Sequence, residues 1–421
     1  MLVIGAPGVS RTSKQDAHWP CASPGSYGTI TGVTASSIVL RARALIADEI
    51  VPDVLVEVTG DRISDVRVVT STEAAPPNAV AVTGILVPGF VDVHTHGGGG
   101  GAFTGLDPDA AAAAARHQHS RGTTSLLASL VTLSPADLMR GVQMLADLAD
   151  DGLVDGIHLE GPWLAQARCG AQDPRLMRDP DRAEVEQLLE AGRGHIRQVT
   201  LAPERDLGLD LVGWLVAAGV HAAIGHTTAS FAVATQAVEA GADLATHLFN
   251  GMDPWHHREP GAVPALLRAA AEGAVTLELI ADGTHLSDDT ATTVIDLVGP
   301  GRVVFVSDAM AAAGVGDGRY VLGGLAVVVT DGVARLDPGP DADGPGSIAG
   351  GTSHVAEIVA RAVASGRSLP DAVSCGTRTP ARWLGLPDRG EIAVGARADL
   401  AVLGDDARLT KVMRAGRWLG A

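Results

Sequence analysis

Pro88-Gly89-Phe90-Val91-Asp92-Val93-His94-Thr95-His96 begins with a Pro-Gly break and continues as a short, mostly apolar run. Such a run, bounded by turn residues, reads as a strand buried on both faces. Residues i and i+2 of a strand point the same way, about 6.6 Å apart, so the imidazoles of His94 and His96 converge on one metal ion. His117-Gln118-His119 repeats the spacing inside a helical stretch, where two residues subtend about 200° and the rings diverge. The first pair therefore reads as metal ligands and the second as ordinary polar residues.

Outward from this strand (residues 89–94), further apolar runs follow at 123–130, 154–159, 196–201, 220–224, 243–248, 275–280 and 302–306. Most are separated by stretches such as 108–121, 134–150 and 231–240, which carry helix formers with apolar residues at helical spacing. Continuous apolar strands alternating with helices imply a parallel sheet covered on both faces. Eight such units imply an α/β fold closed into a (β/α)8 TIM-type barrel, here over residues 88–385. Before it, residues 37–87 alternate as short strands and turns. After it come a hairpin at 323–336 turning at Asp331-Gly332, helices near 354–365 and 370–384, and strand-like alternation at 391–402 and 411–418. The expectation is one small β-sandwich domain built from 37–87 and 386–421, with 1–36 a poorly ordered N-terminal extension.

The 421 residues exceed the roughly 250 of a lone barrel. A net charge of −18 disfavours nucleic acid and anionic membranes as partners. An anionic small molecule would need a local cationic patch working against that field. Cys21, Cys169 and Cys375 are odd in number and widely spaced, which argues against a disulfide framework and fits a cytoplasmic protein. No apolar run reaches the roughly 18 residues of a membrane helix.

The remaining chemistry falls at strand ends. Glu160 ends the third strand, His226 the fifth and His247 the sixth; His285 follows the seventh and Asp308 the eighth. In a barrel these ends share one mouth, where active sites of this fold sit. A chance scatter of the 14 histidines would not gather so many there. Imidazole with carboxylate suits Zn2+ best among divalent ions, with Fe2+, Mn2+, Co2+ or Cd2+ as alternatives, one or two per chain. Such an ion lowers the pKa of bound water to about 7. Asp308 is placed to take a proton from that water and return it to a departing amine, its plain alternative being a helix N-cap. His285 is placed to stabilise an oxyanion. His221 should lie at the far end of the barrel, and His158 reads as a supporting residue behind Glu160.

At these residues the chain resembles the amidohydrolase superfamily and, within it, the N-acetylglucosamine-6-phosphate deacetylases. The likeness covers about 40–421 and rests on the opening stretch, His158-Leu159-Glu160-Gly161-Pro162-Trp163, Gly225-His226-Thr227, Thr246-His247-Leu248-Phe249-Asn250-Gly251-Met252, Ile280-Ala281-Asp282-Gly283-Thr284-His285 and Ser307-Asp308-Ala309-Met310. The resemblance implies that Glu160, His226 and His247 bind one metal, and that His94 and His96 with Glu160 hold a second. It implies Asp308 as general base and acid, and His285 on the substrate's carbonyl or sugar. The run His256-His257-Arg258-Glu259-Pro260-Gly261 matches the family's phosphate-binding segment. In relatives this Arg crosses a homodimer interface into the neighbouring site, so Arg258 would supply a phosphate fork and Asn250-Gly251 backbone N–H groups.

Two departures from the family pattern stand out. Gln172 replaces a usual His at a substrate-contacting position and cannot become cationic. Gly251 replaces a usual Ala, which reads as a mild change. Cys169 beside Arg168 reads as an inert loop cysteine, with a reactive thiol as its alternative. Competing readings are hydrolysis of a cyclic amide or an N-acyl amino acid, or a non-catalytic barrel relative, which should have lost its ligands.

Overall fold

The computed structural model describes residues 37–70, 76–339 and 344–420; the extension expected over 1–36 lies outside them. Eight parallel strands form one sheet in chain order: Phe90–Thr95, Thr123–Leu130, Gly156–Glu160, Ile196–Leu201, His221–Ile224, Leu244–Ala245, Thr276–Leu279 and Val303–Phe305. Each falls within or against an expected apolar run. The sixth run, 243–248, shrinks to two residues because the backbone turns at His247, where φ is +27°. Its apolarity reflects burial, not extension.

The barrel is joined edge to edge just past the eighth strand. There Asp308 N–H donates to His94 O (2.9 Å) and His96 N–H to Ala309 O (2.8 Å). Asp92 of the first strand staples this seam from inside. Its carboxylate accepts from Ser307 Oγ (2.5 Å), Ser307 N–H (3.3 Å) and His94 N–H (3.2 Å).

The helices on the outside start where local chemistry permits. Asp107 caps Pro108–Ser120 by accepting from Asp109 and Ala110 N–H, and Ser134 caps Pro135–Asp150 by accepting from Asp137 N–H. Both helices place Pro at the first position, where its missing N–H costs nothing. The single helix expected at 370–384 is two, Leu369–Gly376 and Arg378–Leu384, broken at Thr377. Pro380 explains the break, since inside a continuous helix its ring would clash with the Gly376 carbonyl.

Both chain ends build one mixed seven-stranded sheet. Its order is Arg417–Trp418, Leu409–Arg414, Leu400–Leu403, Ala79–Pro88, Ser37–Ile46, Glu49–Thr59 and Arg62–Val68. Leu40, Val56, Ile63, Leu86, Val402 and Met413 form an apolar core of its own. The strand expected over 391–402 is reduced to Leu400–Leu403, because Ile392 and Ala398 plug that core from a loop. The hairpin expected at 323–336 gains a third strand: Gly318–Leu322, Leu325–Thr330 and Val333–Leu336 pair antiparallel, turning at Asp331-Gly332. Among the described residues no helix is long and apolar enough to cross a membrane.

Candidate metal centre and active site

Two buried triads sit at the carboxyl end of the barrel: His94, His96 and Asp308, and Glu160, His226 and His247. The donor atoms of each lie within 4.8 Å of one another. Short strands and sharp turns deliver them. His226 (φ +46°), His247 (φ +27°) and Asp308 (φ +46°) all adopt left-handed backbone, a conformation that costs a non-glycine residue about 1–3 kcal/mol and gathers at functional sites.

Within the first triad, His94 Nε2 lies 3.2 Å from His96 Nε2. Asp308 Oδ1 is 3.3 Å from the former and 3.1 Å from the latter. In the second, Glu160 Oε1 sits 2.9 Å from both His226 Nε2 and His247 Nε2. Glu160 also faces the first group, with Oε2 3.2 Å from His96 Nε2 and Oε1 3.8 Å from His94 Nε2. The resemblance grouped His94 and His96 with Glu160; the fold adds Asp308 to that pair and leaves Glu160 between the two groups.

Three of the four imidazoles are anchored through Nδ1: His94 on Glu278 Oε2 (3.1 Å), His96 on Ser129 O (3.1 Å) and His226 on Arg168 O (2.7 Å). Such anchors place the proton on Nδ1 and turn the Nε2 lone pair into the site. His247 Nδ1 is buried without a hydrogen-bond partner; its ring packs edge-on to His226 and stacks on His94. Four imidazole nitrogens and two carboxylates converging this way fit one or two divalent ions.

The electrostatics agree. Burial alone would lower the His96 pKa, but hydrogen bonds to Asp308 and Glu160 outweigh it and raise it to about 9. Burial likewise opposes the charge on Glu160, yet hydrogen bonds from His226 and His247 hold its carboxyl well below the usual range. Asp308 is also lowered, with burial outweighed by His94 and His96. The imidazoles and carboxylates of the site thus stabilise one another's charges.

The triads open into a cavity of about 310 Å3. Asn250, Gly251, Gln172, His285, Leu322 and Ile348 are among its lining. His285 is held by Asp282, which accepts from its Nδ1 (2.9 Å) and backbone N–H (2.8 Å). Burial would lower the His285 pKa, but Asp282 raises it. Gln172 Nε2 donates to Glu160 Oε2 (2.5 Å), and its Oε1 accepts from Thr132 N–H (2.6 Å), so its amide braces the carboxylate. The backbone N–H of Asn250, expected as a donor to substrate, is taken up by His247 O (2.9 Å), to which its Nδ2 also donates (3.3 Å).

His257 and Arg258 do not line the cavity. They are exposed and bond each other at 2.8 Å. His158 uses both nitrogens on Ser129 (2.9 Å) and Thr200 (2.8 Å) behind Glu160. His221 pairs with Asp243 (2.7 Å) beside Trp383. His117 bonds His354 (3.0 Å), and His119 bonds the Thr123 and Leu153 carbonyls. Sequence reasoning missed Glu278, Asp282, Leu322 and Ile348. The signals were a lone acid inside an apolar strand and an Asp three residues before His285.

Residues 85–419 match the family model described as the amidohydrolase family. The chain belongs to the amidohydrolase family. This amidohydrolase is 31% identical to the N-acetylglucosamine-6-phosphate deacetylase of Bacillus subtilis (strain 168), over 89% of this chain and 95% of that one. It is 33% identical to the N-acetylgalactosamine-6-phosphate deacetylase of Escherichia coli O157:H7, over 90% and 98%. A solved structure of a mutant N-acetyl-D-glucosamine-6-phosphate deacetylase from Mycobacterium smegmatis, in complex with N-acetyl-D-glucosamine-6-phosphate, superposes with a TM-score of 0.85. Its identity is 44%, covering 91% of the amidohydrolase and 99% of that chain.

Proposed function

We propose that this amidohydrolase hydrolyses the N-acetyl group of N-acetylglucosamine 6-phosphate, consuming water and releasing glucosamine 6-phosphate and acetate. The observation that carries the reading is the buried double triad, with Asp308 and His285 both lining one cavity. Residues 88–385 form the metallo-hydrolase barrel in this reading, and 37–87 with 386–421 its satellite domain. Glu160, His226 and His247 would hold one divalent ion, and His94, His96 and Asp308 with Glu160 a second; Zn2+ suits the donors best.

A divalent ion held by these residues would supply Lewis acidity and lower the pKa of water toward neutrality. Asp308, its pKa lowered by neighbouring imidazoles, takes the proton of the attacking water and passes it to the sugar nitrogen as the C–N bond breaks. His285, whose pKa Asp282 raises against the opposing effect of burial, acts as the imidazolium: Nδ1–H donates to Asp282 and the second N–H to the developing oxyanion. Gln172 and Asn250 offer amides to the sugar hydroxyls. No Arg or Lys lines the cavity among the described residues. The phosphate therefore needs an outside cation, which supports a homodimer with Arg258 and His257 entering the neighbouring site. Among the described residues Cys169 and Cys375 are free.

The deciding experiment measures acetate release and metal content on one sample. The metal-loaded protein should release acetate from N-acetylglucosamine 6-phosphate, and D308N should keep the ion at Glu160, His226 and His247 while losing about a hundredfold or more in kcat. Metal-loaded wild type without acetate release would overturn the reading. The E. coli relative favours one second reading, the 4-epimer as substrate; faster turnover of N-acetylgalactosamine 6-phosphate would establish it.

A further inference from the structure

Glu278 lies in the seventh barrel strand, Thr276–Leu279, and is completely buried. Its Oε2 accepts from two groups, His94 Nδ1 (3.1 Å) and the backbone N–H of His247 (3.1 Å). Its Oε1 accepts from Gln198 Nε2 (2.8 Å). The Glu278 carbonyl also accepts from Leu248 N–H (2.9 Å), so strand and carboxylate together fix the turn that carries His247. One side chain thus touches a member of each triad.

The two contacts differ in kind. A neutral imidazole has a single N–H, and a carboxylate can only accept. Glu278 therefore holds the His94 proton on Nδ1 and leaves the Nε2 lone pair facing His96 and Asp308. An anionic partner also makes that nitrogen a stronger donor to a metal. With His247, by contrast, Glu278 touches only the backbone, and the ring's Nδ1 has no partner.

We propose that Glu278 is the positioning residue that makes the His94–His96–Asp308 triad competent for its ion, a role that rests on the two-ion reading above. The surroundings also separate charge from shape. Gln198 Oε1 is buried without a partner, so a Gln at position 278 could donate to it after Gln198 turns over, still accepting from His94 and His247. E278Q then removes only the charge, whereas E278A removes the anchor as well.

Metal-free wild type, E278Q and E278A are titrated with Zn2+ against a chromophoric chelator, and circular dichroism checks that each is folded. H96A, titrated in parallel, marks which step belongs to the His94 group. Wild type should take two equivalents. The step missing from H96A should weaken about tenfold in E278Q and about a hundredfold in E278A, with the other step little changed. Both variants binding two ions with wild-type affinity would overturn the role of Glu278, as would equal weakening of both steps. A wild-type chain that takes fewer than two equivalents would instead overturn the two-ion reading, and this role with it.

Discussion

At Gly251 the backbone sits at φ +63°, and a Cβ would lie 2.7 Å from His226 Nδ1. A Cβ at Gly170 would also come within 3.1 Å of Cε1 of that ring. Two glycines thus leave room for the imidazole while Arg168 O holds its Nδ1. Ala at 251 looks mild when only a backbone contact is considered, but in this fold it displaces a proposed ligand. G251A should weaken the ion at Glu160, His226 and His247 about tenfold or more while the chain stays folded; an unchanged titration would refute this. His96 supplies a second test. A ligand must be deprotonated, and the Asp308 and Glu160 partners hold the His96 proton up to about pH 9. Metal affinity should therefore rise steadily from pH 6.5 toward 9 in chelator competition, and a flat profile would exclude that competition. At this scale the proposed donors were legible because each falls at a strand end. Glu278 and the bracing by Gln172 were not, since a hydrogen bond across the barrel leaves no local pattern in the chain.

Elements were legible wherever periodicity and punctuation agreed. Thr123–Leu130 and Ile196–Leu201 match their apolar runs residue for residue, and the Asp107-Pro108 and Ser134-Pro135 starts announce their helices. Failures came where an apolar stretch is buried without being a strand, as at His247 and Ile392, or where a proline splits one helical pattern into two. The seam between first and eighth strands was invisible, because its staple pairs Asp92 with Ser307, neighbours in space that lie far apart along the chain. Replacing Asp92 with Ala leaves the hydroxyl and two N–H groups without their acceptor. The expected loss is about 2–4 kcal/mol, read as a lower urea midpoint. A midpoint equal to wild type would remove Asp92 from the closure.

Over the whole molecule, a net charge of −18 surrounds a cavity that is asked to receive a phosphate without a lining Arg or Lys among the described residues. The Trp255–Arg258 run is exposed and supplies the cation in the proposed dimer. Alone, R258A should raise KM for the phosphorylated sugar far more than for free N-acetylglucosamine. Mixed with D308N under subunit exchange, it should regain activity, because hybrids pair an intact pocket with an intact arginine in about a quarter of sites. A mixture no more active than its parts would confine Arg258 to its own subunit.

Both the barrel seam and the satellite sheet are completed by late residues: Asp308 and Ala309 meet the first strand, and Leu400–Leu403 pairs with Ala79–Pro88. A growing polypeptide on the ribosome therefore carries its earliest histidines for most of synthesis without the partners that would retain an ion. A chain ending before Leu400 would close its barrel seam yet leave the satellite sheet open along Ala79–Pro88, an edge ready for chaperones or proteases.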